Sequence, residues 1–178
     1  LSDEEAAAVP LTALTIMQAL ELMGAQSSKT IFISGGTGGV GGMAIPIAKG
    51  KGLKVITNGA GDSAERVLKL GADRFIDYKT EDYTKTVSQV DYVLDTLGGA
   101  KTEKQMSIMK KGGQLVSLRA MPNGDFAKRM NLPKWKQILL GLAGRKFDKM
   151  ADKYGVHYHF IFVESNGAQL QEVADLFS

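Results

Sequence analysis

Ile31-Phe32-Ile33-Ser34-Gly35-Gly36-Thr37-Gly38-Gly39-Val40-Gly41-Gly42 is the stretch whose reading decides the fold. A short β-branched and aromatic run empties into a segment where six of eight residues are glycine. Ala44, Ile45, Ile47 and Ala48 then take up the apolar spacing of a helix. In that order the free N–H groups and positive dipole end of the helix face an anion. Gly36-x-Gly38-x-x-Gly41 fits the fingerprint of dinucleotide pyrophosphate binding. Its first glycine makes the tight turn, its second admits phosphate to the backbone, and its third lets helix pack on strand.

Three other readings compete for these residues. Gly36 and Gly41 have P-loop spacing, but Gly42-Met43 stands where Lys-Ser/Thr must reach phosphates and Mg²⁺. Gly35-x-x-x-Gly39-x-Gly41 mimics the turn of short-chain dehydrogenases. Those need Tyr-x-x-x-Lys, and none of the five tyrosines (78, 83, 92, 154, 158) has Lys four residues on. The third is a structural glycine turn in another α/β fold, to be decided by the βαβ setting.

The 178 residues suit one domain with a real core. Hydrophobic content of 44% and charge of 23% are ordinary for a globular protein. The absence of cysteine removes disulfides, thiolate zinc sites and cysteine nucleophiles, and fits a reducing cytoplasm. No apolar run approaches the roughly 18 residues of a membrane span, and no signal peptide is visible. Leu1 in place of an initiator Met points to a piece of something longer. Residues 122–154 hold eight Lys/Arg against three Asp, a net +5 that leaves −2 for the rest of a +3 chain.

Along the chain, Ser2 and Glu5 form a capping box. The helix that follows is interrupted at Pro10, and residues 11–23 continue with helical spacing. Strands are expected at residues 30–34, 53–57, 74–77, 90–95, 114–119 and 157–163, the first leading into a helix over about 39–51. Asp62 and Glu65 make a second capping pair for a helix ending at Leu70-Gly71. A helix after Gly98-Gly99 is expected to stop at Lys110-Lys111-Gly112-Gly113, and Asn166 to cap a last helix through Leu176. Strands alternating with helices predict an α/β fold: a doubly wound parallel sheet of about six strands with helices on both faces. Residues 122–154 interrupt the alternation as a mostly helical basic insertion.

Together these motifs resemble the cofactor domain of medium-chain dehydrogenase/reductases, in their quinone-reductase-like branch. The resemblance rests on residues 6–15, the loop at 34–41, Leu70-Gly71-Ala72-Asp73, Ile76-Asp77-Tyr78, Asp95-Thr96-Leu97-Gly98-Gly99, Lys111-Gly112-Gly113 and the ending Phe162-Val163 with 166–170. It implies a Rossmann-type NAD(P)-binding domain over residues 1–178, with 1–25 as helical lead-in. It also implies a GroES-like catalytic domain that lies outside this chain. The implied activity is NADPH-dependent hydride transfer to a quinone, enone or other carbonyl held by that domain. Alternatives are a zinc-assisted alcohol dehydrogenase and a non-catalytic dinucleotide-binding structural or sensor protein. A methyltransferase is disfavoured because the acid for its ribose is missing at Asn58-Gly59.

The turn residues Gly36, Gly38, Gly39, Val40 and Gly41 are the candidate pyrophosphate site. At the tip of strand two, where NAD enzymes place Asp or Glu, stand Thr57-Asn58-Gly59-Ala60. No carboxylate at these positions repels a 2′-phosphate, which favours NADP(H) over NAD(H); Asp62 nearby has the wrong sign for a phosphate and is read instead as the helix N-cap. In the branch resembled, a glycine, a lysine four residues on and the tyrosine of Ile-Asp-Tyr gather round that phosphate. Gly59 and Tyr78 match, Ser63 stands at the lysine position, and Arg66 one turn on is the candidate substitute. The resemblance places Thr15, Ser117, Leu118, Phe162 and Val163 round the nicotinamide and Thr96 at the carboxyl edge.

His157 and His159 share a strand face without a third ligand, which argues against a metal site. Trp135, Ile138, Leu139 and Leu142 give the insertion an apolar helical face. That face is read as packing on this domain, on the absent one or on a second subunit. The remaining expectations are a small-molecule substrate bound through the absent domain, a homodimer through the last strand, no nucleic acid, no membrane and no catalytic side chain in this chain.

Overall fold

A computed structural model describes residues 3–176. The chain opens with α1 (Asp3–Leu22), β1 (Thr30–Ile33), α2 (Gly39–Gly50) and β2 (Lys54–Gly59). A 3₁₀ turn (Gly61–Ser63) leads into α3 (Ala64–Lys69), β3 (Arg74–Asp77), the short α4 (Tyr83–Thr86) and β4 (Val90–Asp95). Then come α5 (Ala100–Met106), β5 (Met109–Ser117), α6 (Gly124–Arg129), α7 (Lys134–Tyr154), β6 (His157–Phe160) and α8 (Gly167–Leu176). The six strands are parallel and ordered β3-β2-β1-β4-β5-β6. This is the doubly wound sheet the alternation predicts, with its switch point between β1 and β4.

Both faces of the sheet are apolar, as strands covered on two sides require. Ile31 and Ile33 of β1, Leu94 of β4 and Val116 of β5 point into one cluster. There they meet Ile16, Met17 and Leu20 of α1, Ile45 and Ile47 of α2, and Val173 of α8. Phe32, Val93 and Leu115, one residue out of phase, point into a second cluster with Met106 of α5 and Ala151 of α7. First and last helices are neighbours: Gln18 Nε2 donates to the Glu164 carbonyl (2.7 Å), Glu164 N donates back to Gln18 Oε1 (3.0 Å), and Gln169 Nε2 donates to Glu21 (2.8 Å).

The structure corrects several boundaries. Helix α1 runs unbroken through Pro10, because the buried stripe from Ala13 to Met23 holds it by packing and outweighs one lost backbone bond. Ser2 of the expected capping box lies outside the described residues. Asp62 does not cap α3. It sits exposed in the 3₁₀ turn, and the residue before α3 is Ser63, whose side chain makes no cap bond. The helix after Gly99 ends at Met106, and Lys110-Lys111-Gly112-Gly113 belong to β5. Lys110 is drawn in by Asp91 (2.9 Å), and the register shifts between Val90 and Tyr92 to admit the extra residues. β2 extends to Gly59, whereas β6 stops at Phe160, short of Val163. The insertion is helical as expected, and Asn166 Oδ1 caps α8 through Ala168 N (3.1 Å) and Gln169 N (3.2 Å). Among the described residues no helix is long and apolar enough to cross a membrane.

Candidate functional site

Where β1 leads back to β2 and β4 leads away to β5, the sheet order reverses and a crevice opens at the carboxyl edge. The glycine turn leaves β1 at that point. Gly35 N donates to Asn58 Oδ1 (2.9 Å) and Gly36 N to the Asn58 carbonyl (2.9 Å), so the end of β2 grips the turn twice. A Cβ on Gly36 would collide with Thr57 Oγ1, and one on Gly41 would strike the Gly35 carbonyl. The turn and α2 therefore touch backbone to backbone.

Gly38 and Gly39 are exposed, and a Cβ on Gly39 would meet no atom within 4 Å. Gly38, the N-cap of α2, offers no side chain. The first recorded bond of this helix end runs from Gly42 N to the Gly38 carbonyl (2.8 Å). Among the described residues the amides of Gly39, Val40 and Gly41 find no backbone acceptor at the positive end of this twelve-residue helix, Gly39 being exposed, Val40 half-buried and Gly41 buried. A pyrophosphate fits that cradle.

The other wall of the crevice is tied down by side chains. Thr96 N donates to Ser34 Oγ (2.9 Å) and Thr96 Oγ1 to the Ser34 carbonyl (2.6 Å), locking β4 to β1 at the switch point. Behind it Asp95 is fully buried and accepts five hydrogen bonds. These come from Leu97 N (3.1 Å), Gly98 N (2.9 Å) and Gln105 Nε2 (2.9 Å) on Oδ1, and from Thr102 Oγ1 (2.7 Å) and Ser117 Oγ (2.9 Å) on Oδ2. Ser117 Oγ also accepts from Ala120 N (3.0 Å). Thr96 and Ser117 thus stand at the crevice with their hydroxyls engaged in its walls.

A cleft of about 660 Å³ opens beside the switch point, lined by Ser34, Asn58, Tyr78, Tyr83 and Leu97. Burial, helped by the neighbouring Asp95 and Asp82 carboxylates, pushes the Tyr83 phenol up to about 12, so it stays neutral. Lys79, Lys101 and Lys104 line the same cleft. The sequence reading missed these cations. The available signal was position alone: Lys79 follows Tyr78, and the other two open the helix after β4. Asp77, at the tip of β3, accepts from Lys79 N (3.0 Å), and its carboxylate turns within its own loop.

The expected cofactor residues divide accordingly. Gly36 to Gly41, Asn58, Gly59, Tyr78, Thr96, Ser117 and Leu118 all gather at the carboxyl edge, and Leu118 N donates to the Asp95 carbonyl (2.9 Å). Phe162, 66% exposed, and Val163 follow β6 on the same edge. Thr37 Cγ2 fills the space over Gly59. Arg66 Nη2 donates to the Thr37 carbonyl (2.9 Å), so its guanidinium lies against the outer side of the glycine turn, in a hollow separate from the cleft that Tyr78 lines. Ser63 is half-buried between them without a side-chain cap bond. Thr15 bonds back to Leu11 on its own helix (2.8 Å).

His159 is not arranged as a metal ligand. Its Nδ1 faces Asp125 (3.3 Å) and its Nε2 faces Gln114 Oε1 (2.9 Å). Among the described residues no three His, Asp or Glu side chains converge to hold a metal ion.

The family model described as "Zinc-binding dehydrogenase" matches residues 70–178. The chain is 33% identical over 171 residues to 2-methylene-furan-3-one reductase of Solanum lycopersicum, an alignment covering 86% of this chain and 44% of that protein. It is 32% identical to the mitochondrial NAD(P)H oxidoreductase RTN4IP1 of Mus musculus, covering 99% of this chain and 46% of that one. The chain therefore spans less than half the length of these relatives. The quinone oxidoreductase of Coxiella burnetii superposes with a TM-score of 0.75 at 26% identity, over 94% of this chain and 46% of that one.

Proposed function

The chain belongs to the zinc-binding dehydrogenase family of medium-chain dehydrogenase/reductases, and from that premise we propose that it is the NAD(P)-binding part of an oxidoreductase. The observation that carries this reading is the set of Gly39, Val40 and Gly41 amides without backbone acceptors, reached through the exposed Gly38 and Gly39, at the switch point of a doubly wound sheet. When bound, the nicotinamide supplies a hydride from its C4. This chain's residues would bind and orient it: the turn would hold the pyrophosphate, Thr96 would stand at the carboxyl edge, and Ser117, Leu118 and the segment at Phe162-Val163 would flank the ring. The hydride acceptor is a quinone, enone or other carbonyl held by a further domain, and catalysis in this half rests on positioning.

We further assign NADPH as the favoured form. β2 itself ends without an acid at Asn58-Gly59, although Asp62 is exposed in the turn that follows and Asp77, held through one oxygen by Lys79 N, lies against Gly61 with the other. Tyr78, Lys79, Lys101 and Lys104 surround the neighbouring cleft, and Arg66 lies beside the turn. Calorimetric titration of the 178-residue chain with NADPH and NADH in parallel tests both statements. Tighter binding of NADPH is expected, together with a selective loss in Arg66→Ala of about tenfold, or 1.4 kcal/mol. Equal affinity for the two dinucleotides sinks the NADPH assignment, and binding of neither sinks the cradle.

The homodimer proposal rests on β6 as the free edge of the sheet. Arg129 Nη2 donates to the Phe160 carbonyl (2.7 Å) and must move before a second β6 can pair there.

A further inference from the structure

Helix α7 leaves its apolar face in solvent. Trp135, Ile138, Leu139 and Leu142 are 63%, 66%, 57% and 65% exposed and project from one side of the helix. The same side continues through the exposed Arg145, Lys146, Lys149 and Lys153. Gly144 and Ala151, on the opposite side, are the buried residues that seat α7 on the domain. The helix thus lies along the surface with an outward face that is apolar first and basic after.

We propose that this face seats the protein on an anionic lipid bilayer. Trp135, Ile138, Leu139 and Leu142 enter the boundary between headgroups and acyl chains, while Arg145, Lys146 and Lys149 lie over anionic headgroups. Charge complementarity carries the choice. On this face Arg145, Lys146 and Lys149 stand exposed, and Lys153 beside them is paired with Glu103 (2.9 Å). A second copy would set those cations against themselves, and a nucleic acid would meet an apolar ridge where it needs contacts to phosphate. A further domain of the whole protein, if it is the occupant, overturns the proposal by leaving the Trp135 face unresponsive to vesicles in the full-length protein. A Trp- and Leu-bearing face beside Lys and Arg is the make-up of helices that lie in the lipid interface. Lys136 sits over the Trp135 ring (5.4 Å to its centroid), placing a cation at the side of the inserting indole. Lying on a surface needs no membrane-spanning helix, so the face is compatible with the helix lengths described above.

The test reads Trp135 directly, because it is the only tryptophan in the chain. The protein is titrated with phosphatidylcholine vesicles and with vesicles rich in phosphatidylglycerol, following tryptophan emission and co-sedimentation. The expected result is a shift to shorter wavelength and sedimentation with the anionic vesicles alone, both reversed by salt. Replacing Lys146→Ala and Lys149→Ala should weaken binding by about fivefold per cation removed. Ile138→Ser with Leu142→Ser should abolish the wavelength shift while circular dichroism stays unchanged, since both side chains are exposed. Emission that moves with neither vesicle, or equally with both, overturns the proposal. A shift that grows with protein concentration alone overturns it in favour of a second copy. A shift with polyglutamate but not with vesicles overturns it in favour of an acidic protein. No dinucleotide enters the experiment, so its failure is distinct from failure of the cofactor reading.

Discussion

Asp95 has no ion-pair partner among the described residues and is held by hydrogen bonds alone. Removing the carboxylate leaves the Gly98 amide, the Gln105 amide group and the Thr102 and Ser117 hydroxyls buried without their acceptor, and the Leu97 amide part-buried without its own. Asp95→Ala should therefore cost about 3 kcal/mol or more, read as a lower urea midpoint. His159 sets a different dependence. Burial pulls its pKa below the ordinary histidine value, with Arg129 and His157 adding to this, and the hydrogen bond and charge of Asp125 only partly oppose it. The folded protein therefore binds the proton more weakly than the unfolded chain. Its contribution is fully present above the unfolded value of about 6.5 and is lost as pH falls toward the folded one. Denaturant midpoints measured from about pH 7.5 down to 5 should decline, and His159→Gln should flatten that slope. A wild-type profile that is already flat would sink the assignment.

At the scale of single elements, the glycine turn and α2 work as one piece, because Gly41 leaves no gap against Gly35. Gly41→Ala pushes the helix off the turn. It should lower dinucleotide affinity at least tenfold, about 1.4 kcal/mol, by calorimetry, with the fold kept by circular dichroism. β6 is the element where pairing is contested. Arg129→Ala frees the Phe160 carbonyl, so sedimentation velocity should show more dimer than wild type if the edge is the contact. The place of this turn was legible because glycine spacing is a local signal, whereas residues such as Ser117, Leu118 and Phe162 were carried over by the family resemblance rather than read from any local pattern. The start of β5 was not legible. Lys110-Lys111-Gly112-Gly113 has the composition of a helix end, and only Asp91, far along the chain, makes it a strand. Asp62 misled for a related reason: a capping pair reads the same whether or not a 3₁₀ turn displaces it by one residue. The cleft lysines lack any spacing rule, and they become visible once the loop after β3 and helix α5 are seen to line one cleft.

Over the whole molecule, acid stability should follow the paired carboxylates. Burial alone would raise Asp91, but the Thr30 amide and the Lys110 and Lys29 charges outweigh it and hold the group below its ordinary value. Asp73 behaves likewise, burial being opposed by the Val55 amide and Lys49. Both groups stabilise the fold above about pH 4 and cease to do so as pH falls through their lowered values. Asp91→Asn should accordingly shrink the loss of thermal stability between about pH 4 and 2. The parallel, doubly wound character of the sheet was legible from alternation, whereas the strand order came from the structure. The exposure of α7 was not legible, because a periodic apolar face announces a contact without saying which surface supplies it.

The pairing of the first and last helices also sets a timetable. Gln18 and Glu164 are 146 residues apart, and Met17 and Leu20 share a cluster with Val173. At synthesis rates of about 5–20 residues per second, the side of α1 that meets Val173 waits on the order of ten seconds for its covering, whereas α2 and β1 reach the rest of the stripe almost at once. During that interval the strip left for α8 is open to chaperones and to other nascent chains. A ribosome-bound nascent chain arrested before α8 should therefore be more protease-sensitive at the end of α1 than the finished protein, however complete its sheet.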